Sequence, residues 1–273
     1  MIEPAVAGVI GWPISHSKSP LIHRFWLAKL GLDGDYSRFP VAPERLGDFI
    51  RAMPAMGLRG VNVTIPHKQA VIPFLDHLDE TAQLVGAVNC IKLFPDGRLG
   101  GANTDADGIY APLAGRGMSG REIIILGSGG AARAALMAAS SMAAGWVTLV
   151  ARNTQMAAAM LQQAGQPGTV LPWGGPLPAS RQAALLFNAT SLGMAGQPPL
   201  AFDLSVLPDD AVVFDAVYAP LETGLLKAAR ARGLATIDGL EMLIGQAALA
   251  FEIFYGAGAP RQYDAELRAL LTR

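Results

Sequence analysis

The sequence predicts a two-domain α/β protein whose second domain is a doubly wound parallel sheet. Three observations carry this. Short apolar runs rich in β-branched residues alternate with segments of helical period along most of the chain. A glycine-rich turn, Gly127-Ser128-Gly129-Gly130-Ala131-Ala132, joins one such run to a helix. The composition, 51 % hydrophobic with 31 Gly and 19 Pro, suits a chain with many tight strand-to-helix turns.

In the first third, Ala5 to Ile10 reads as a strand that runs into the turn Gly11-Trp12-Pro13. Pro20 marks the first turn of a helix through Leu30, with Ser19 as its N-cap. Pro43 to Met53 has helical period, and Gly60 to Ile65 is a buried strand stopped by Pro66. Thr81 to Val85 is helical, and Val88 to Phe94 is a strand turned by Pro95-Asp96-Gly97. Asp105 to Ala114 begins another helix.

The middle third is more regular. Strands at Glu122 to Leu126 and Trp146 to Val150 flank a small-residue helix over Gly129 to Met142. Thr154 to Gln163 is helical, and Gly165 to Pro178 is a Gly/Pro-rich loop. Ala184 to Asn188 and Ala211 to Asp215 are further buried strands, and Leu221 to Ala231 is a helix. Parallel strands need helical crossovers, so this order calls for a sheet covered on both faces. Leu240 to Tyr255 and Arg261 to Leu271 close the chain as two helices. The domains are expected at residues 1–105, 106–238 and a returning helical segment at 239–273.

Composition excludes several function classes. The 21 Lys+Arg against 22 Asp+Glu leave a formal charge of 21 − 22 = −1, so nucleic-acid binding through bulk basicity is not expected. The single cysteine, Cys90, excludes an internal disulfide and a cysteine-built zinc site, and four scattered His suggest no metal. Residues 1–4 lack an export signal, and the apolar stretches carry charges at helical intervals, short of the about 20 apolar residues of a spanning helix. A cytoplasmic enzyme with no membrane partner is the expectation.

The glycine turn fits G-x-G-x-x-G/A, with Ala132 at the third position. Gly127 makes the tight turn, Gly129 admits a pyrophosphate, and Ala132 permits close helix packing. The exposed N–H groups of Gly130 and Ala131 and the helix dipole then face the anion. The next strand should end in the residue that reads the ribose. Here Val150-Ala151-Arg152-Asn153-Thr154 offers no acid to accept from a 2′-hydroxyl. Arg152 can instead fork onto a 2′-phosphate, which favours NADP.

Three polar clusters remain. Ser15-His16-Ser17-Lys18-Ser19-Pro20 puts alternating hydroxyls before a helix N-terminus, which suits a carboxylate. Asn62-Val63-Thr64-Ile65-Pro66-His67-Lys68 places Thr64 at a strand end and Lys68 at the positive end of a new helix, where a lysine is unfavourable for stability. Asn103-Thr104-Asp105 and Ala87-Val88-Asn89 follow. His16 and His67 lie beside these positions and are not expected to touch ligand. Leu243, Ala247, Ala250, Phe251 and Phe254 form a helical core stripe in which Gln246 is the polar exception.

These clusters, with Gly127 to Arg133, Asn188-Ala189-Thr190-Ser191, Val217-Tyr218-x-Pro220-x-x-Thr223 and Asp238-Gly239-Leu240 through Gln246, resemble the shikimate dehydrogenase family in order and spacing from about residue 6 to 260. The resemblance implies an N-terminal substrate domain, a Rossmann-type NADP domain, and reversible reduction of 3-dehydroshikimate to shikimate by NADPH in aromatic amino-acid biosynthesis. It assigns Ser15 and Ser17 to the substrate carboxylate, with Tyr218 nearby. Thr64, Lys68, Asn89, Asp105 and Gln246 would hold the ring hydroxyls and the reacting oxygen. Gly127, Ser128, Gly129, Gly130, Ala131, Arg152, Asn153, Thr154, Ala216 and Gly239 would line the cofactor, with Glu80 near it. Lys68 and Asp105 are the catalytic pair: an ammonium at the reacting oxygen stabilises developing negative charge and supplies a proton, and Asp105 orients it.

Two departures from the family pattern stand out. Its Asn-Arg-Thr is here Ala151-Arg152-Asn153, which weakens the expected NADP selection. Cys90 stands where threonine is frequent and is expected to be a small buried residue. The rival readings are a dual quinate/shikimate dehydrogenase and a non-catalytic ligand-sensing relative. The two serines leave less room for quinate's extra hydroxyl, and retention of Lys68 with Asp105 argues against a sensor. A monomer or homodimer is expected.

Overall fold

The computed structural model describes residues 5–180 and 182–273. Residues 1–4, read above as lacking an export signal, lie outside them. The chain divides into two compact units. One takes the chain up to Thr104 together with Gln246–Arg273, and the other is Asp105–Gly245.

The first unit contains strands β1 (Ala5–Gly11), β2 (Gly34–Pro40), β3 (Leu58–Val63), β4 (His77–Leu78), β5 (Cys90–Leu93) and β6 (Leu99–Ala102). Helices α1 (Ser19–Leu30), α2 (Leu46–Ala52), α3 (His67–Ala70) and α4 (Glu80–Val85) connect them. The sheet order is β2-β1-β3-β5-β6-β4. β1 runs parallel to β2 and β3, whereas β5 is antiparallel to both β3 and β6. Cys90 is fully buried, as a small core residue should be, and burial pushes its thiol up.

The second unit begins with α5 (Asp105–Tyr110). Its strands are β7 (Glu122–Leu126), β8 (Trp146–Ala151), β9 (Gly168–Pro172), β10 (Ala183–Asn188), β11 (Val212–Asp215) and β12 (Ala235–Ile237). Between them run α6 (Gly130–Ser141), α7 (Thr154–Gln163) and α8 (Gly224–Ala231). All pairings are parallel, in the order β12-β11-β10-β7-β8-β9. Counted from β7, this is the 3-2-1-4-5-6 order of a doubly wound dinucleotide-binding sheet.

Period-two alternation explains how such a sheet buries both faces. Ile123 and Ile125 of β7 join the core layer with α6 and α7, while Ile124 and Leu126 join the opposite layer with α8. The small residues of α6 let it lie close to the strands: Ala132, Ala134, Ala135, Ala138 and Ala139 are all buried. α9 (Gly239–Tyr255) and α10 (Asp264–Leu271) complete the chain. On α9, Ala247, Ala250, Phe251 and Phe254 are buried and Leu243 and Gln246 are half-buried.

Several local expectations need correction. The Gly/Pro-rich segment read as loop contains β9, a sheet edge, where Gly and Pro are tolerated because one side of the strand needs no partner. The edge strands β2 and β12 also escape the sequence reading, since their short, half-exposed stretches carry weak alternation. Ser19 is the first residue of α1 and not its cap; the Ser17 hydroxyl accepts from its N–H at 3.3 Å. α3 is a single turn, so a dipole penalty at Lys68 carries little weight.

One buried group constrains the first unit's pH range. His23 of α1 is fully buried, stacks on Tyr36 at 4.0 Å, and neither ring nitrogen has a hydrogen-bond partner among the described residues. Burial lowers its pKa from 6.5 to about 3. The unfolded chain therefore takes up this proton first, so stability held above pH 6.5 is lost as pH falls toward 3. Between pH 6.5 and 5 the loss from this group should be about 1.6 kcal/mol, the slope rising from half to nearly the full value of about 1.4 kcal/mol per pH unit. Urea titrations at both pH values should show that His23→Phe removes this part of the slope; an unchanged difference would clear His23 of the role.

Candidate active site

In the first unit, the polar residues gather where β1, β3 and β5 begin or end. Buried asparagines satisfy the backbone there. The Asn62 amide donates to the Asn89 carbonyl at 3.0 Å and accepts from the Tyr36 hydroxyl at 2.7 Å. The Asn103 amide donates to the Ala87 carbonyl at 2.8 Å. Asn89 Oδ1 accepts from the Thr104 N–H at 2.8 Å, and its Nδ2 donates to the Thr104 hydroxyl at 3.0 Å. Asn89 thus pins the strand ends beside its expected ligand role.

The serine loop is held from below. Arg38 of β2 donates through Nε to the Ser17 carbonyl at 2.9 Å and through a second guanidinium nitrogen to the same oxygen. The Lys18 ammonium donates to the Leu271 carbonyl. Ser17 is buried and Ser15 exposed. Thr64 and Lys68 are half-buried at the end of β3 and on α3, and the Val88 N–H donates to the Lys68 carbonyl at 2.8 Å. His67 is buried with Nε2 2.7 Å from the Val41 carbonyl, a structural bond, and His16 is exposed. Glu80 is exposed at the start of α4.

In the second unit, the ends of β7, β8 and β10 surround a cavity of about 470 Å³. Gly127, Ser128, Gly129, Arg152 and Asn153 share its lining with Trp173 and with Thr190, Ser191 and Leu192. Gly127 has φ +113°, open to glycine and strained for other residues. A Cβ on Gly129 would meet nothing within 4 Å, and no side chain among the described residues caps α6. The first N–H groups of that helix thus face open space, and exposed Arg152 stands on the cavity wall. These features fit a dinucleotide, with its pyrophosphate at Gly129 to Ala131 and an added phosphate at Arg152.

Other expected residues occupy different places. Asn153 has a second task, since its Oδ1 accepts from the Met156 N–H at 3.0 Å and caps α7. Thr154 belongs to that helix and not to the cavity lining. Ala216 and Tyr218 follow β11, half-buried, and burial pushes the Tyr218 phenol up. A Cβ on Gly239 would lie 2.4 Å from the Ala216 carbonyl, so glycine is needed for that close approach. Asp105, the first residue of α5, is buried. The sequence reading missed Trp173; identifying β9 would have revealed it, because its position follows that strand as Arg152 follows β8. It also missed Arg38, whose signal was hidden with β2.

A family model of the shikimate dehydrogenase substrate binding domain matches residues 9–91, and one of the shikimate 5′-dehydrogenase C-terminal domain matches residues 239–266. A shikimate dehydrogenase (NADP(+)) of Sphingopyxis alaskensis is 54 % identical over 268 residues, covering 97 % of this chain and 96 % of its own. The structure of shikimate 5-dehydrogenase from Thermus thermophilus, in complex with NADP(H) and shikimate, superposes with a TM-score of 0.82. Its identity is 35 %, over 97 % of this chain and 99 % of that one. Ligand-free 5-ketofructose reductase of Gluconobacter sp. strain CHM43 gives 0.90 at 31 % identity, over 99 % and 100 % of the two chains. Fold likeness therefore extends across activities, and near-full-length identity is what decides between them. The chain belongs to the shikimate dehydrogenase family.

Proposed function

We propose that the chain catalyses the reversible, NADPH-dependent reduction of 3-dehydroshikimate to shikimate, a step toward the aromatic amino acids. The observation that carries this reading is the near-full-length identity to a shikimate dehydrogenase (NADP(+)), joined to a dinucleotide cavity with arginine where NAD sites place an acid. We assign NADP to residues 106–238, and the substrate to residues 1–105 with the helices of 239–273. Its partners are small molecules, and a cytoplasmic setting suits a chain with one buried thiol.

The nicotinamide supplies the hydride when bound. The chain's own groups do the rest. Ser15 and Ser17 bind the substrate carboxylate through hydroxyls, with Tyr218 beside it. Thr64, Asn89 and Gln246 take the ring hydroxyls. Lys68 hydrogen-bonds to the reacting oxygen, stabilises its growing negative charge and donates the proton; in reverse it accepts that proton. Asp105 orients Lys68. At the cofactor, the first turn of α6 meets the pyrophosphate and Arg152 the 2′-phosphate, flanked by Asn153 and Thr154. Ala216, Gly239 and Glu80 complete the cofactor set taken from the family pattern.

Steady-state kinetics test these roles separately. Lys68→Ala should lower kcat by about 10² or more with little change in the KM for NADP⁺; near-normal turnover would remove Lys68 from the mechanism. Arg152→Gln should raise the KM for NADP⁺ by about tenfold or more while leaving that for NAD⁺ nearly unchanged. Equal losses with both cofactors would mean that Arg152 does not read the phosphate. Initial rates with shikimate and quinate should favour shikimate; comparable rates would point to a dual enzyme, and no turnover with either to a ligand sensor.

A further inference from the structure

Asp215, the last residue of β11, is fully buried, and its carboxylate has no cation among its partners in the described residues. Oδ1 accepts from Asn188 Nδ2 at 2.8 Å and from the Val217 N–H at 3.0 Å. Oδ2 accepts from the Thr223 hydroxyl at 2.6 Å. These donors come from the end of β10, from the segment after β11, and from the N-cap of α8, where the Thr223 oxygen also accepts from the Leu226 N–H at 3.3 Å.

The chain of bonds continues to the cavity wall. Asn188 Oδ1 accepts from both the N–H and the hydroxyl of Thr190, at 3.0 and 2.7 Å. The Thr190 oxygen in turn accepts from the Leu192 N–H at 3.1 Å. Asn188 Nδ2 also donates to the Leu192 carbonyl at 3.3 Å. Thr190 and Leu192 line the nucleotide cavity, whereas Asp215 and Asn188 do not. On the other side, Val217 leads to Tyr218, and the Ala216–Val217 backbone lies against Gly239.

Burying a carboxylate without a counter-cation is costly, and burial does raise this one's pKa. What only an acceptor-rich group supplies here is a fixed donor direction for three separate segments. It forces the Asn188 amide to turn its nitrogen inward and its oxygen toward Thr190, which sets the cavity loop.

We propose that Asp215 is a positioning residue for the cofactor: through Asn188 and Thr223 it fixes the Thr190 to Leu192 wall of the nucleotide cavity together with the segment that carries Tyr218. The proposal rests on the reading that this cavity takes NADP. Asp215→Asn keeps the shape but presents an N–H to groups that are themselves donors. At a temperature where both proteins are folded by near-UV circular dichroism, its Kd for NADP⁺ should rise by about tenfold, with kcat also reduced and the KM for shikimate changed less. Thr223→Val, which removes one donor, should move Kd in the same direction, and Thr223→Ser, which keeps the hydroxyl, should restore it.

If both Asp215→Asn and Thr223→Val bind NADP⁺ and turn over as the wild type does, whatever their melting temperatures, Asp215 only stabilises the fold and the proposal is overturned. Should Asp215→Asn fail to fold, the comparison of Thr223→Val with Thr223→Ser decides: equal Kd and kcat overturn it. A wild-type protein that does not bind NADP⁺ by calorimetry refutes the reading of the cavity and the proposal with it. Wild-type binding with unaltered variants refutes the proposal alone.

Discussion

Where strands stop, backbone groups lose their ladder partners, and in each unit buried amide side chains replace them. Asn89 and Asn103 do this in the first unit and Asn188 in the second. A buried N–H or C=O without a partner costs about 1–3 kcal/mol, so each amide stabilises the loop it satisfies. Asp105, expected at the substrate, follows Thr104, and Thr190 stands on the cavity wall. Their placement follows from the amides beneath them, and precise loops on rigid strands are what a binding site requires.

Much of the second unit is legible in the sequence because a fully buried parallel sheet needs continuous apolar runs. Glu122–Leu126 and Thr154–Gln163 coincide with their expected bounds, and the glycine turn falls between β7 and α6. Physical reasons also explain the failures. β2, β9 and β12 are edge strands, half wetted, so period-two alternation is diluted and proline is permitted. Losing β9 concealed Trp173, and losing β2 concealed Arg38 beneath the serine loop. Ser19 and Ser17 illustrate a finer limit: a run of hydroxyls signals a helix start without saying which one accepts the bond.

The candidate site was legible where one residue type has one plausible task and obscure where it has two. Gly127, Gly129 and Arg152 share a cavity, as their spacing around β7 and β8 suggested. Asn153 both caps a helix and lines that cavity, and Asn89, expected in the substrate set, closes a strand end. Asp215 was visible only as the end of a strand. Its three donors lie 27, 2 and 8 residues from it in the chain, a convergence that no local pattern encodes.

Both sheets end in strands with one open side, β2 and β4 in the first and β9 and β12 in the second. An open strand edge is a template for pairing with another chain, and long flat edges invite aggregation. Here the edges are blunted. β2 and β9, the longer of them, each end in proline at Pro40 and Pro172. β4 and β12 on the opposite margins have only two and three residues. An incoming strand finds a short ladder or a position without an N–H, which disfavours edge-to-edge pairing in a chain whose net charge of −1 gives little repulsion.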